Sequence, residues 1–275
     1  MSSPAKLARY GVRIANEATD SLGEAAETLQ LLGYAVVNSG LDANQLDRLR
    51  NGFDGLRLAA HERHGAERLR KLGEADLVRC PLGEDTSFLS LATNHRILAL
   101  CEQLIGPGFV LNQQNGIVNP AGVTSYSQSA FHRDLPYQHF TSSRPLAINA
   151  LFCLDPFTVE NGATLVIPAS HKQEAFPSEA VIAAHSRQIE APAGSFLVLD
   201  AMTYHCGGLN RSPRDRRAVN HLYTIAMMRQ QIDLVAHLGE GFSEDPAVRQ
   251  LLGFNHPLPR SVAEFIAQRE RRQSS

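Results

Sequence analysis

The sequence predicts a mainly β domain, a jelly roll or barrel, with helices packed before and after it. Three observations predict it. From residue 109 onward, short strand-like runs are bounded by Pro, Gly, Asn and Ser; ahead of them apolar residues recur at helical spacing; beyond about residue 230 helical spacing returns. The chain of 275 residues, 43% hydrophobic and 20% charged, is long enough for one large buried core, and no repeat or low-complexity linker divides it. A single domain, 1–275, is expected in three parts: helix-rich 1–108, a β core over about 109–230, and a helical tail 231–275.

The first helix is predicted over DSLGEAAETLQLL (20–32), which opens on a capping Asp20 and sets Leu22, Ala25, Ala26, Leu29 and Leu32 on one face before Gly33 stops it. The β-branched run YAVVNSG (34–40) reads as a strand and 41–65 as a helix with a charged outer face. Residues 66–92 carry no clear period; TNHRILALCEQLI (93–105) reads as a helix ended by Gly106-Pro107-Gly108. The runs FVLNQQNGIVN, AINALFCLD, ATLVIPA, GSFLVLDA and RRAVNHLYT are the predicted core strands, and SEDPAVRQLLGF and RSVAEFIAQRERR the tail helices.

Composition narrows the partners. The formal charge is −2, from 26 basic and 28 acidic residues with scattered arginines, so no footprint for a nucleic-acid backbone exists and a small-molecule partner is expected; a homo-oligomer stays open. The N-terminal stretch lacks the apolar core of a signal peptide, and no apolar run approaches the roughly 20 residues of a membrane span, so a cytoplasmic protein without a membrane partner is expected. Cys80, Cys101, Cys153 and Cys206 form no C-x-x-C pair and are read as reduced.

Chemistry concentrates in FHRDLPYQHF (131–140). In an extended segment His132 and Asp134 point one way and Arg133 the other, giving two arms of a metal site. His205, beyond the apolar run that ends at Asp200, supplies a third. Two imidazoles and a carboxylate form the facial triad of non-haem Fe(II) oxygenases, although a zinc hydrolase could use the same atoms. Arg216 favours the first. On RRAVNHLYT it shares a face with Ala218 and Asn220, and a guanidinium inside a barrel needs an anion. 2-Oxoglutarate supplies one: its keto acid end chelates iron while its distal carboxylate meets Arg216, and O₂ takes an open iron position. Arg217 is the outward member of the pair.

These segments resemble the phytanoyl-CoA dioxygenase-like branch of the Fe(II)/2-oxoglutarate oxygenases. The resemblance rests on F-H-R-D at 131–134, E-N-G-A-T-L-V-I-P-A-S-H-K at 160–172 and H-C-G-G-L-N-R-S…R-R-A at 205–218, and spans about residues 25–230. It implies a double-stranded β-helix, His132, Asp134 and His205 as iron ligands, and Arg216 as the clamp on the distal carboxylate. It also puts Asn149 and Thr164 beside the cosubstrate. Asn119-Pro120 stands where many relatives have Lys-Pro, and Gly207 where some have a cosubstrate-binding serine, so the auxiliary contacts do not transfer.

The implied reaction converts 2-oxoglutarate to succinate and CO₂ and hydroxylates a C–H bond; the intact Asp134 disfavours halogenation. Tyr137, Gln138, His139 and Phe140, with Arg144 and Thr203, are the candidate substrate contacts, mixing aromatic faces and polar groups as a small polar metabolite (secondary metabolite, amino acid or sugar-containing molecule) would require. The alternatives are a non-catalytic jelly-roll metabolite-binding protein and the zinc hydrolase. His171 and His221 are read as structural.

Overall fold

The computed structural model describes residues 7–123, 126–255 and 257–274. Helix α1 (Ser21–Leu32) begins where the Asp20 carboxylate accepts from the backbone N–H groups of Leu22 and Gly23, and ends at Gly33 with φ +83°. Only glycine fits at that end, since a Cβ there would lie 2.2 Å from Thr203 Oγ1. Strand β1 (Tyr34–Asn38) follows, then α2 (Ala43–His64), whose Asp42 and Gln45 close a reciprocal capping box. The segment without a clear period resolves into α3 (Ala66–Lys71), β2 (Leu77–Arg79), α4 (Pro81–Glu84) and α5 (Leu89–Ala92), pieces too short to show one. Helix α6 (His95–Leu104) completes this part.

The later strands are β3 (Val110–Asn119), β4 (Ala147–Cys153), β5 (Leu165–Val166), β6 (Arg187–Gln188), β7 (Ser195–Asp200), β8 (His205–Cys206) and β9 (Arg216–Thr224), with α7 (Glu179–His185) between β5 and β6. The tail holds α8 (Leu234–Leu238), α9 (Pro246–Leu252) and α10 (Val262–Ser274). Two antiparallel sheets result, one of six strands ordered β1-β7-β4-β9-β3-β2 and one of three ordered β6-β5-β8.

Alternation along the central strands explains the layers. Ile148, Ala150 and Phe152 of β4 and Val219 and Tyr223 of β9 face a core built with Ala26 and Leu29 of α1, Phe53 of α2, and Ile97 and Leu100 of α6. Leu251 and Leu252 of α9 join the same core, so the tail is packed against it. The opposite parity, Leu151, Cys153, Leu197, Leu199 and Ala218, packs with Phe157, Ala163 and Val166 from the small-sheet side. With both faces covered, every residue of β4 is buried, and its side chains alternate between helix core and inter-sheet interior.

Two expectations are corrected. More residues lie in helices than in strands, so the architecture is mixed α/β with antiparallel sheets rather than mainly β. The ATLVIPA run pairs only at Leu165–Val166, because Pro168 and then Ala169, at φ +60°, turn the chain away.

Candidate metal centre

His132 lies beside β8, to which it is joined by a single antiparallel bridge: its N–H donates to His205 O at 2.9 Å, and His205 N–H donates to His132 O at 3.0 Å. Residues directly opposed across a bridge put their side chains on one face. The two imidazoles therefore stand side by side, ring centroids 4.4 Å apart. Two residues on, Asp134 N–H donates to Ala201 O at 3.0 Å, and its carboxylate returns to the same face, 3.8 Å from His205 Nε2. One ligand atom from each of His132, Asp134 and His205 lies within 4.8 Å of the others.

The remaining ring and carboxylate atoms orient these donors. His132 Nδ1 pairs with Ala130 O at 2.9 Å and His205 Nδ1 with Thr203 O at 3.0 Å, which places the protons on Nδ1 and leaves each Nε2 lone pair for a metal. Burial pushes the His205 imidazole down from its ordinary range, keeping it neutral, the form that ligates. Asp134 Oδ2 accepts from Asn149 Nδ2 at 2.7 Å. Two neutral nitrogens and one carboxylate oxygen on one face suit Fe(II) and leave coordination positions open.

Arg133, between the ligands, points the other way and is 2% exposed. Its guanidinium lies over the Tyr204 ring, 4.0 Å to the centroid, and donates to the carbonyls of Ser170, Gln173 and Gln138. It thus ties the segment after Asp134 to the turn after β5.

Arg216 opens β9 and is 3% exposed, on the parity that faces between the sheets. Its guanidinium stacks on Phe157 at 3.8 Å, with Nε donating to Asn161 O at 3.3 Å and Nη2 to Gly162 O at 3.1 Å. Among the described residues no carboxylate forms an ion pair with it. A buried cation held by carbonyls and an aromatic face, without an anion, leaves charge for a ligand to match. Gly162 builds this wall: at φ +75°, a Cβ on it would sit 2.4 Å from Gly208 O. Asn119, opposite Arg216 in the β3–β9 register, donates to Gly162 O and Gly208 O at 3.1 and 2.8 Å. Arg217 faces the other way, its Nη2 donating to Asp155 Oδ1 at 2.8 Å and its Nη1 to Asp54 Oδ2 at 2.7 Å.

Other expected residues divide. Continuing the β5–β8 register by one step sets Thr164 opposite Gly207, with Thr164 buried. Asn149, expected at the cosubstrate, commits its amide nitrogen to Asp134. Tyr137 is 66% exposed and stacks parallel to Phe140 with centroids 6.0 Å apart, His139 meets it edge-on, and Gln138 donates to Arg133 O at 3.4 Å. Arg144 is exposed. Thr203, expected at the substrate, is fully buried, and its hydroxyl donates to Gly33 O at 2.9 Å, locking the end of α1 to the approach to His205. His171 sits against the same helix end, with Nε2 3.3 Å from Gln30 O. Tyr126, whose hydroxyl faces Arg216, had no sequence signal beyond the missing side chain at Gly207.

The sheets and the two-histidine, one-carboxylate face define the class: a non-haem iron, 2-oxoglutarate-dependent dioxygenase. A family model described as phytanoyl-CoA dioxygenase matches residues 29–218. The chain belongs to the phytanoyl-CoA dioxygenase family, with iron as its metal and 2-oxoglutarate as its cosubstrate. An uncharacterized protein of Mycobacterium tuberculosis, Rv1501, is 31% identical over 262 residues, covering 93% of this chain and 95% of its own. The iron/alpha-ketoglutarate-dependent dioxygenase penM of Penicillium thymicola is 38% identical over 92 residues, 31% of this chain and 29% of its own. Among solved structures, the epimerase SnoN in complex with Fe³⁺, alpha ketoglutarate and nogalamycin RO shares the fold at TM-score 0.56 and 23% identity, covering 82% of this chain and 93% of SnoN.

Proposed function

We propose that this enzyme hydroxylates an unactivated C–H bond of a small polar metabolite, a secondary metabolite, amino acid or sugar-containing molecule, with succinate and CO₂ as co-products. His132, Asp134 and His205 would hold the iron within a double-stranded β-helix, and the helical parts serve the same single domain. When bound, iron with 2-oxoglutarate and O₂ supplies the oxidising power for C–H cleavage. The chain's own residues do the positioning. Asn149 holds one Asp134 oxygen so that the other faces the metal, and the Nδ1 hydrogen bonds aim both imidazoles.

Arg216 receives the distal carboxylate, and that contact fixes which way the keto acid lies. The observation that carries the reading is a guanidinium 3% exposed, on the metal's side of the sheet, with no carboxylate partner among the described residues. The segment from Leu135 to Phe140 follows the ligands directly and forms a wall beside them. Tyr137, His139 and Phe140 offer aromatic faces, and Gln138 and Arg144 polar groups, to the substrate. Three ligands that leave metal positions open speak against a mere binding protein, and a hydrolase would leave Arg216 without a role.

The test is succinate formed from 2-oxoglutarate by the Fe(II)-loaded protein with ascorbate and O₂, and its dependence on Arg216. Arg216→Met is expected to weaken 2-oxoglutarate binding by about a hundredfold, as loss of a charge-assisted bidentate contact implies. Unaltered affinity in that variant would assign the carboxylate to another residue; no succinate and no 2-oxoglutarate binding by the native protein would end the reading.

A further inference from the structure

Gly207 lies two residues past His205, at the end of β8, and the space where its side chain would stand is taken. A Cβ built on Gly207 would lie 1.5 Å from the Tyr126 hydroxyl oxygen and 2.6 Å from Tyr126 Cζ. Tyr126 reaches this point from the segment between β3 and β4, and two devices hold it there. Ser129 donates its hydroxyl to Tyr126 O at 2.7 Å, closing a turn, and Gly207 N–H donates to Gln128 O at 2.8 Å, docking that turn on the strand end. Glycine and tyrosine are thus matched in size across the interior, and neither tolerates a larger partner.

The Tyr126 hydroxyl is buried, and no acceptor in the protein takes its proton. It faces the Arg216 guanidinium, itself without an anion among the described residues. A hydroxyl removed from water and left unpaired costs free energy, and such a group beside an uncompensated cation is a place for an acceptor. Burial pushes the phenol up to about 12, so it remains protonated and can donate. Continued by one step, the β5–β8 register sets the buried Thr164 opposite Gly207.

We propose that Tyr126 is the second donor of the cosubstrate clamp, its hydroxyl giving a hydrogen bond to the distal carboxylate that Arg216 pairs with, in the space Gly207 leaves open. This rests on the assignment of that carboxylate to Arg216. Tyr126 is a specificity residue: it distinguishes a keto diacid from a keto monoacid of the same length.

The test is calorimetric titration of Mn(II)-loaded protein with 2-oxoglutarate and with 2-oxopentanoate, which keeps the chain length and the keto acid but lacks the distal carboxylate. The native protein is expected to prefer 2-oxoglutarate. Tyr126→Phe should weaken 2-oxoglutarate by about tenfold to a hundredfold, as loss of a hydrogen bond to a charged group implies, and leave 2-oxopentanoate within about twofold. Tyr126→Ala combined with Gly207→Ser should recover much of the preference, because alanine vacates the space and the serine hydroxyl re-enters it. Equal preference in native protein and Tyr126→Phe, or equal weakening of both keto acids, overturns the role of Tyr126 while Arg216 stands. No preference for the diacid in the native protein overturns both. Should Tyr126→Phe not fold, failure of the alanine–serine pair to prefer the diacid overturns the proposal.

Discussion

A single amide shows how much of the centre depends on residues that never touch metal. Asn149 comes from the middle of β4, where alternation turns it away from the helix core and towards Asp134. Without its 2.7 Å hydrogen bond the carboxylate would be free to rotate, and its Oδ2 would sit buried against nothing. Asn149→Leu is therefore expected to lower metal affinity about tenfold to a hundredfold, measured by titration of the metal-free protein, with the folded state retained. Affinity equal to the native protein's would show that backbone geometry alone orients Asp134. The family resemblance marked Asn149 as a residue bordering the cosubstrate, and its hydrogen bond to Asp134 carried no signal in the sequence. Which neighbour an inward amide meets depends on the approach of the 131–134 segment, some fifteen residues away, and no local pattern encodes that approach.

At the scale of elements, β9 divides two chemistries. Arg216, Ala218 and Asn220 face the interior between the sheets, and Val219, His221 and Tyr223 the helix core, as alternation along RRAVNHLYT predicts. His221 is fully buried: its Nδ1 pairs with Ala150 O at 3.0 Å and its Nε2 with Gln114 Nε2 at 2.9 Å. Gln114 also donates to Phe88 O at 2.9 Å and accepts from Leu82 N–H at 2.9 Å, which leaves the amide nitrogen as the donor and His221 Nε2 as the acceptor. Burial lowers the imidazole to about 4. An unfolded histidine takes its proton near pH 6.5, so between that pH and about 4 the unfolded chain binds more protons and stability falls with falling pH. The loss expected across that window is about 3 kcal/mol. Urea unfolding of native protein and His221→Gln at pH 7 and pH 4.5 checks it: the native protein should lose more stability than the variant, and parallel losses would place the acid sensitivity elsewhere. The minor sheet was less legible, because β5, β6 and β8 have two residues each, too few to show a period.

For the whole molecule, the centre joins parts that fold on different supports. His205 belongs to the small sheet, Asn149 and Arg216 to the large one, and the 131–134 segment bridges them. Metal and cosubstrate bound only by the folded chain should therefore stabilise it by mass action, about 2.7 kcal/mol at a hundredfold excess over Kd. Adding Mn(II) is expected to raise Tm by roughly 5 °C, with a further rise from 2-oxoglutarate only when metal is present, and EDTA should reverse both. A rise with 2-oxoglutarate in EDTA would mean that the cosubstrate binds without the metal. Among the described residues no helix is long and apolar enough to cross a membrane.

The sequence by itself determined the strands of the large sheet other than β2, the faces of β9, and the four side chains proposed to handle iron and 2-oxoglutarate, because periodicity and ligand chemistry are local properties. Only the tertiary structure decided that Thr203 braces Gly33, that Asn149 serves Asp134, and that Tyr126 occupies the space beside Gly207. Those pairings join residues far apart in the chain, and their partners are chosen by how the sheets close, which no segment specifies alone.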